Sequence, residues 1–428
     1  MFRPHLTHAG VFAGLCAILL LTALPCRSLA LDLDTAIAMA RENIPSLKAS
    51  RYRVQSSDAL YKASLSPYFP SLDANGAQAW NDTTLGDYDQ RTYDIALSYT
   101  LFDGGKRSAS RNIAEANRDI TRDDFATETL QLEFNVKSAF YSTLARKDIV
   151  EERKTQLRDA QKDYEVAHGR HRLGVAKLSD VLQASVRREQ ARYNLVQAEG
   201  DLSKGLTELN SLIGRTLDAP YDLQGTLDVR HGAPDRTTLS NAAMARPELK
   251  RAENAIKITK NNVTLQTSAF YPVVSASGSY SRIDGGLYGT LPNDTDQSIG
   301  IYATWNIFEL GKLYKTRSAQ IDIKASEENL NEMVRQILLD VAKAHEDFMT
   351  ATKDVVVAEE QYRSAAQNYD QAFGEYKVGK GDILSLVTAE SALARAQEQQ
   401  TLSRLRLMLS KALLERASGV EKLELLLP

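Results

Sequence analysis

The sequence predicts a mainly α-helical chain with a small β portion, built as two tandem copies of one unit. Three observations carry this. Short motifs recur in one order at a nearly fixed spacing. Two proline-free stretches of some 60 residues read as single helices. Four short segments alternate apolar and polar side chains as strands do.

The repeat organises the whole chain. Ser66-Pro67-Tyr68-Phe69-Pro70 recurs as Ser268-Ala269-Phe270-Tyr271-Pro272, and Leu101-Phe102-Asp103-Gly104-Gly105-Lys106 as Ile307-Phe308-Glu309-Leu310-Gly311-Lys312. Leu173-Gly174 recurs as Val378-Gly379, and Ile213-Gly214 as Ser418-Gly419. The spacing stays between 202 and 206 positions over half the chain, which chance matching would not sustain. The copies are assigned to residues 31–232 and 233–428.

Residues 1–30 read as a secretory signal peptide: Arg3 is basic, Val11 to Leu24 is an apolar run, and Ser28-Leu29-Ala30 suits cleavage. The run is too short to span a bilayer as a helix, which disfavours a permanent anchor. Both cysteines, Cys16 and Cys26, fall in this segment, so the mature chain has no thiol chemistry. Ala23-Leu24-Pro25 is a poor context for lipidation of Cys26. With 52 basic and 55 acidic residues, nothing draws the chain toward nucleic acid.

Each copy opens with a helix, Leu33 to Leu65 and Leu239 to Thr267, ended by a proline motif. Strands follow. Tyr93, Ile95, Leu97, Tyr99 and Leu101 alternate with Asp94, Ala96, Ser98 and Thr100. In the second copy Val274 to Tyr280 alternate with serines, and Ile299, Ile301, Ala303, Trp305 and Ile307 alternate with polar neighbours. Polar stretches at Asn81 to Gln90 and Asp284 to Gln297 are expected loops. Gly104, Gly105 and Gly311 mark turns from strand into helix. The long helices are expected at Arg107 to His168 and Leu313 to Tyr376, and return helices at Ser179 to Ile213 and Ile383 to Ala417. A short helix stacked on a second would match the length of the uninterrupted one.

Four strands cannot close a barrel alone, and a lipid-exposed edge leaves unpaired backbone groups. Strands of about ten residues fit a tilted outer-membrane span. Trp80, Tyr93 and Tyr280 fall toward one end and Trp305 toward the other, with Tyr99 and Ile301 between, as a lipid-facing band with aromatic girdles requires. A soluble sheet would instead need an apolar helix face over it, and the flanking helices begin with lysine.

The duplicated hairpins, the Leu-Phe-Asp-Gly-Gly-Lys entry into a long helix, and the turn from His171 to Leu182 with its counterpart from Tyr376 to Leu384 resemble the TolC family of outer-membrane efflux proteins. The resemblance covers essentially the whole mature chain. It implies a homotrimer whose protomers close a twelve-strand β-barrel above a twelve-helix periplasmic tunnel, set in outer-membrane lipids. It implies as partners a periplasmic adaptor (membrane fusion) protein and an inner-membrane RND, ABC or MFS pump. It further implies an aperture at the helix tips. Tyr376 matches the family's constricting tyrosine and Asp180 its first-repeat partner. The chain departs from the pattern at Gly381, where members carry arginine, and at Ser385 and Thr388, where they carry aspartates. Asp382 is the carboxylate nearby in that repeat. Gly174 and Gly379 supply the positive φ of a tight interhelical turn.

No catalytic constellation, cofactor or metal is called for. His168 and His171 share a helical face but lack a third ligand. Gly104-Gly105-Lys106 lacks phosphate-loop spacing. A coiled-coil periplasmic adaptor is the alternative, and it predicts one hairpin, a lipoyl-like β domain and no girdles. A secreted enzyme with a helical domain has no catalytic cluster to support it.

Overall fold

The computed structural model describes residues 29–228, 234–285 and 294–426. All of the expected signal peptide except Leu29 and Ala30 lies outside the described residues, as does 286–293 of the second expected loop. The first half runs β1 (Leu29–Leu31), α1 (Leu33–Asn43), α2 (Pro45–Ala63), β2 (Ser71–Thr83), β3 (Gly86–Phe102), α3 (Lys106–Arg172) and α4 (Leu178–Leu212). After β4 (Tyr221–Leu223) the order returns: α5 (Arg236–Ala243), α6 (Pro247–Ser268), β5 (Val273–Asp284), β6 (Asp294–Thr304), α7 (Leu310–Lys377) and α8 (Ile383–Ser418).

The opening helix of each half is broken where the sequence suggested continuity. Ile44 and Arg246 each precede a proline and take extended ψ values of 123° and 141°. The proline ring disfavours helical backbone in the residue before it, yet the proline itself is at ease in a first helical turn. Each proline therefore ends one helix and begins the next.

By compactness the chain divides into two units, Met1–Ala40 with Ala139–Leu227, and Arg41–Ser138 with Asp228–Pro428. In the first, β1 pairs in parallel with β4, and Leu31, Phe140, Leu209 and Ile213 are buried. In the second, a core forms where α5, the start of α6 and the end of α8 meet the middle of α7: Leu239, Leu249, Ile337, Val341, Phe348 and Leu414. The 68-residue α7 is thus served by shorter partners, the 22-residue α6 and the 36-residue α8, as the length argument expects.

The second unit also buries charge that apolar periodicity could not reveal. Lys137 Nζ lies 2.6 Å from Glu415 Oε2, with side-chain exposures of 8% and 6%, and donates to the Glu421 carbonyl at 2.8 Å. Glu415 Oε1 accepts from Leu423 N, while Arg41 bridges Glu133 and Glu421. The segment after α8 is held by these paired and hydrogen-bonded charges, the condition under which burying them is tolerable.

The sheet is antiparallel throughout, in the order β2-β3-β5-β6, so each half contributes one hairpin. The expected loop at Asn81 to Gln90 is mostly strand. Asn81 pairs with Tyr88 and Asp82 with Asp87, leaving Thr84 and Leu85 as the connection. A ladder needs only backbone groups, so polar side chains there report exposure, not irregular structure. The second hairpin likewise resumes at Asp294. The last strand is shorter than expected: β6 ends at Thr304, and Trp305 lies past it.

Candidate functional site

Two regions bear the residues expected to matter: the faces of the sheet and the turns between the long helices. Partners across a ladder share a face, so the register sorts every side chain. Tyr99 pairs with Ala276, and Ala276 with Ile301. Leu97 pairs with Gly278, and Gly278 with Ile299. Ala74 pairs with Ile95, and Ile95 with Tyr280. The opposite face reads Ser71–Ser98–Ser277, then Asp73–Ala96–Ser279–Ser298, then Asn75–Asp94–Ser281–Asp296. Ser71 and Ser98 hydroxyls meet at 2.8 Å, as do those of Ser279 and Ser298, and Asn75 donates to Asp94 at 2.8 Å.

One face is therefore apolar across all four strands and the other polar, with Tyr93, Tyr99, Tyr280 and Ile301 on the apolar one as expected. From Tyr93 to Phe102 the band measures about 30 Å along the strand, or about 20–25 Å at the tilt usual in barrels. Charge begins at the rung where Tyr93 meets Arg282. Trp80 is a correction to the simple girdle. It pairs with Asp89, two same-face rungs beyond Tyr93, and is 72% exposed. Among the described residues no helix is long and apolar enough to cross a membrane.

The strand-to-helix junctions differ between halves. A register shift between Thr100 and Phe102 moves Phe102 opposite Val274, where it meets Tyr271 edge-on at 6.4 Å. Gly104 and Gly105 then take φ of 65° and 92°. A Cβ on Gly104 would stand 2.8 Å from the Ser268 carbonyl oxygen, so the turn requires glycine. Asp103 accepts from the Gly105 and Arg107 backbone amides, capping α3. The Arg107 guanidinium pairs with Asp103 at 3.1 Å, donates to the carbonyls of Pro67, Thr100 and Leu101, and lies over the Tyr68 ring. In the second half Gly311 is not a turn residue, as its motif suggested. Leu310 replaces the first glycine, the helix starts there, and Gly311 sits inside its first turn. Lys312 donates to the Asn306 carbonyl at 2.7 Å, and the Trp305 indole N–H to that of Phe270 at 3.0 Å.

The interhelical turns are one motif used twice. Gly174 and Gly379 take φ of 73° and 82°. Val175 N–H reaches the Arg170 carbonyl and Lys380 N–H that of Glu375, while each glycine N–H bonds three residues back. This double bond is how helices end on a left-handed residue. His171 Nδ1 lies 2.9 Å from the Ala176 carbonyl oxygen, a contact within the turn.

Tyr376 is 1% exposed, and Asp180, in the first turn of α4, is half-buried and accepts from Ser179 Oγ. Asp382 caps α8, accepting from Ser385 N at 2.7 Å, and that backbone hydrogen bond holds its pKa below the usual carboxylate value. Thr388 spends its hydroxyl on the Leu384 carbonyl. A Cβ on Gly381 would stand 3.1 Å from Glu375 Cβ, so this turn has little room for a side chain there.

Known proteins resemble the chain over most of its length. The family described as outer membrane efflux protein matches residues 36–215 and 238–420, one stretch in each half. Protein CyaE of Bordetella pertussis is 23% identical, covering 87% of this chain and 80% of its own length. Alkaline protease secretion protein AprF of Pseudomonas aeruginosa is 26% identical, covering 86% and 80%. The crystal structure of the outer membrane protein VceC from Vibrio cholerae superposes with a TM-score of 0.78 at 18% identity, over 91% of this chain and 96% of that one.

Proposed function

The chain belongs to the outer membrane efflux protein family, and from that premise we propose that it is one third of a passive exit duct. It is an outer-membrane channel component of efflux or secretion, with its helices on the periplasmic side, and not a periplasmic adaptor.

The observation that carries the trimer is the two-faced, open sheet. Four strands present an apolar and a polar surface, yet leave β2 and β6 unpaired among the described residues. Lipid cannot satisfy those backbone groups, so the edges must find strands from other copies. Three copies supply twelve strands, with the serine- and aspartate-rich face lining an aqueous lumen.

The helix tips carry the aperture in this reading. Tyr376, Asp180, Asp382, Gly381, Ser385 and Thr388 hold its positions, and an adaptor docks there to couple the duct to an inner-membrane pump. Energy comes from that pump, since the duct only conducts. Tyr376→Phe and Asp180→Ala are each expected to raise single-channel conductance in planar bilayers, and unchanged conductance in both would place the constriction elsewhere. Assembly is tested by the mass of the detergent-extracted complex. Three chains are expected; a detergent-free monomer with native helix content would contradict the proposal.

A further inference from the structure

The two hairpins are congruent residue for residue. Moving β2 forward by 202 positions and β3 by 206 carries the pair Ser71–Ser98 onto Val273–Thr304, a pair the second hairpin makes. The same shifts carry every other rung of β2–β3 within the strand limits onto β5–β6. The seam between the halves, β3 against β5, has its own register: Leu97 opposite Gly278, Ala96 opposite Ser279, Arg91 opposite Asp284.

From this congruence, and resting on the oligomeric reading above, we infer that a second copy of this chain pairs its β2 with β6 in the register of the β3–β5 seam, so that Ala303 faces Gly76 of the neighbouring copy. The shifts convert the internal seam into eight rungs, running from Gln297 opposite Asp82 to Thr304 opposite Asn75.

Three features favour this register. Both edges are built to pair: β2 has 13 residues and β6 has 11, with no lysine, proline or register shift in either, the devices by which sheets usually protect an edge. Each rung matches face to face. Ala303, Ile301 and Ile299 meet Gly76, Gln78 and Trp80 on the apolar side, while Thr304, Tyr302 and Ser298 meet Asn75, Ala77 and Asn81 on the polar one. A slip by one residue would turn the apolar face of one copy toward the lumen.

Bulk is also complementary. Tyr302 folds back over Gly300, so that a Cβ there would stand 2.9 Å from its hydroxyl, and this crowded pair comes opposite Ala77 and Ala79. Ile299, 95% exposed, comes opposite Trp80, the residue that fits no girdle within one chain. No two carboxylates face each other directly across the eight rungs.

The test is cross-linking in the full-length chain, with single-cysteine variants as controls for Cys16 and Cys26. Ala303→Cys with Gly76→Cys should give covalent dimers and closed trimers on mild oxidation. The cysteine is sterically admissible, since a Cβ on Gly76 meets only Tyr93, at 3.9 Å. Thr304→Cys with Asn75→Cys probes the same register from the polar face. Pairs slipped by two residues, Ala303→Cys with Ala74→Cys or Gln78→Cys, should lose most of those bands. Stronger bridging by a slipped pair, or no bridging by any pair in an intact trimer, overturns the register while leaving the trimer standing. A complex whose mass is one chain overturns the oligomer and the seam with it.

Discussion

The two halves solve the same joint, strand into long helix, by different chemistry. The first half uses two left-handed glycines and an arginine that ties three carbonyls, a carboxylate and a tyrosine ring together. The second starts its helix where the first has Gly104, and uses one lysine to a single carbonyl. Duplication therefore preserved the direction of the chain and the register of the strands, and left the side chains that enforce them free to diverge. The first joint is the more heavily determined, and it adjoins the seam inside the chain. The second follows β6, a free edge that another copy is expected to order.

This asymmetry is broken most directly at the cations. Arg107→Met takes the cation from the buried Asp103, which keeps only its two backbone amides, and leaves three carbonyls without their donor. Losing one partner of a buried pair costs about 3–5 kcal/mol. Lys312→Met gives up one charged hydrogen bond, about 1.5–3 kcal/mol. Urea midpoints of the detergent-solubilised protein should fall further for the first. Equal losses would mean the two joints are equivalent after all.

The glycines sharpen the contrast because their effects should differ in sign. Gly104→Ala forces a Cβ into a left-handed residue, about 1–2 kcal/mol, and against the Ser268 carbonyl besides. Gly311→Ala should be neutral or slightly stabilising, since alanine is favoured over glycine inside a helix by about 0.5–1 kcal/mol. The same unfolding measurement checks both.

The smallest effect concerns the two tips. Asp382 caps α8 with its side chain, whereas Lys177 at the start of α4 makes no such bond. The folded pKa of Asp382 lies below its ordinary value. Its capping contribution is therefore present in full above the ordinary carboxylate range and is lost as pH falls through the lowered value. Hydrogen-exchange protection in the first turn of α8, taken relative to the intrinsic rate at each pH, should fall under acid and in Asp382→Ala, while that of the first turn of α4 stays unchanged.

What the sequence made legible was whatever obeys a period. The repeat, the alternating strand faces, the long helices and the left-handed turns at Gly174 and Gly379 all follow from spacing or from a single residue type. Boundaries set by pairing were not legible. The polar stretch from Asn81 to Gln90 forms ladder because its partner strand is in reach, and Gly311 enters a helix because Leu310 can begin one. The buried ions Lys137 and Glu415 stand 278 positions apart, and no local pattern connects them. For the tips, Tyr376 and Asp180 were singled out by family resemblance alone, whereas the cap of Asp382 onto Ser385 could have been read from its place before an apolar run.

A membrane duct requires the sheet to have a lipid face and a water face, and adjacent residues of β6 test that. Ile301 lies in the apolar band and Tyr302 on the polar face. An arginine at the lipid midplane costs about 2–4 kcal/mol per copy, while lumen positions accept charge. Assembled oligomer in the outer-membrane fraction should be lost in Ile301→Arg and retained in Tyr302→Arg; equal assembly of the two variants, or loss only in Tyr302→Arg, would contradict the assignment of the faces.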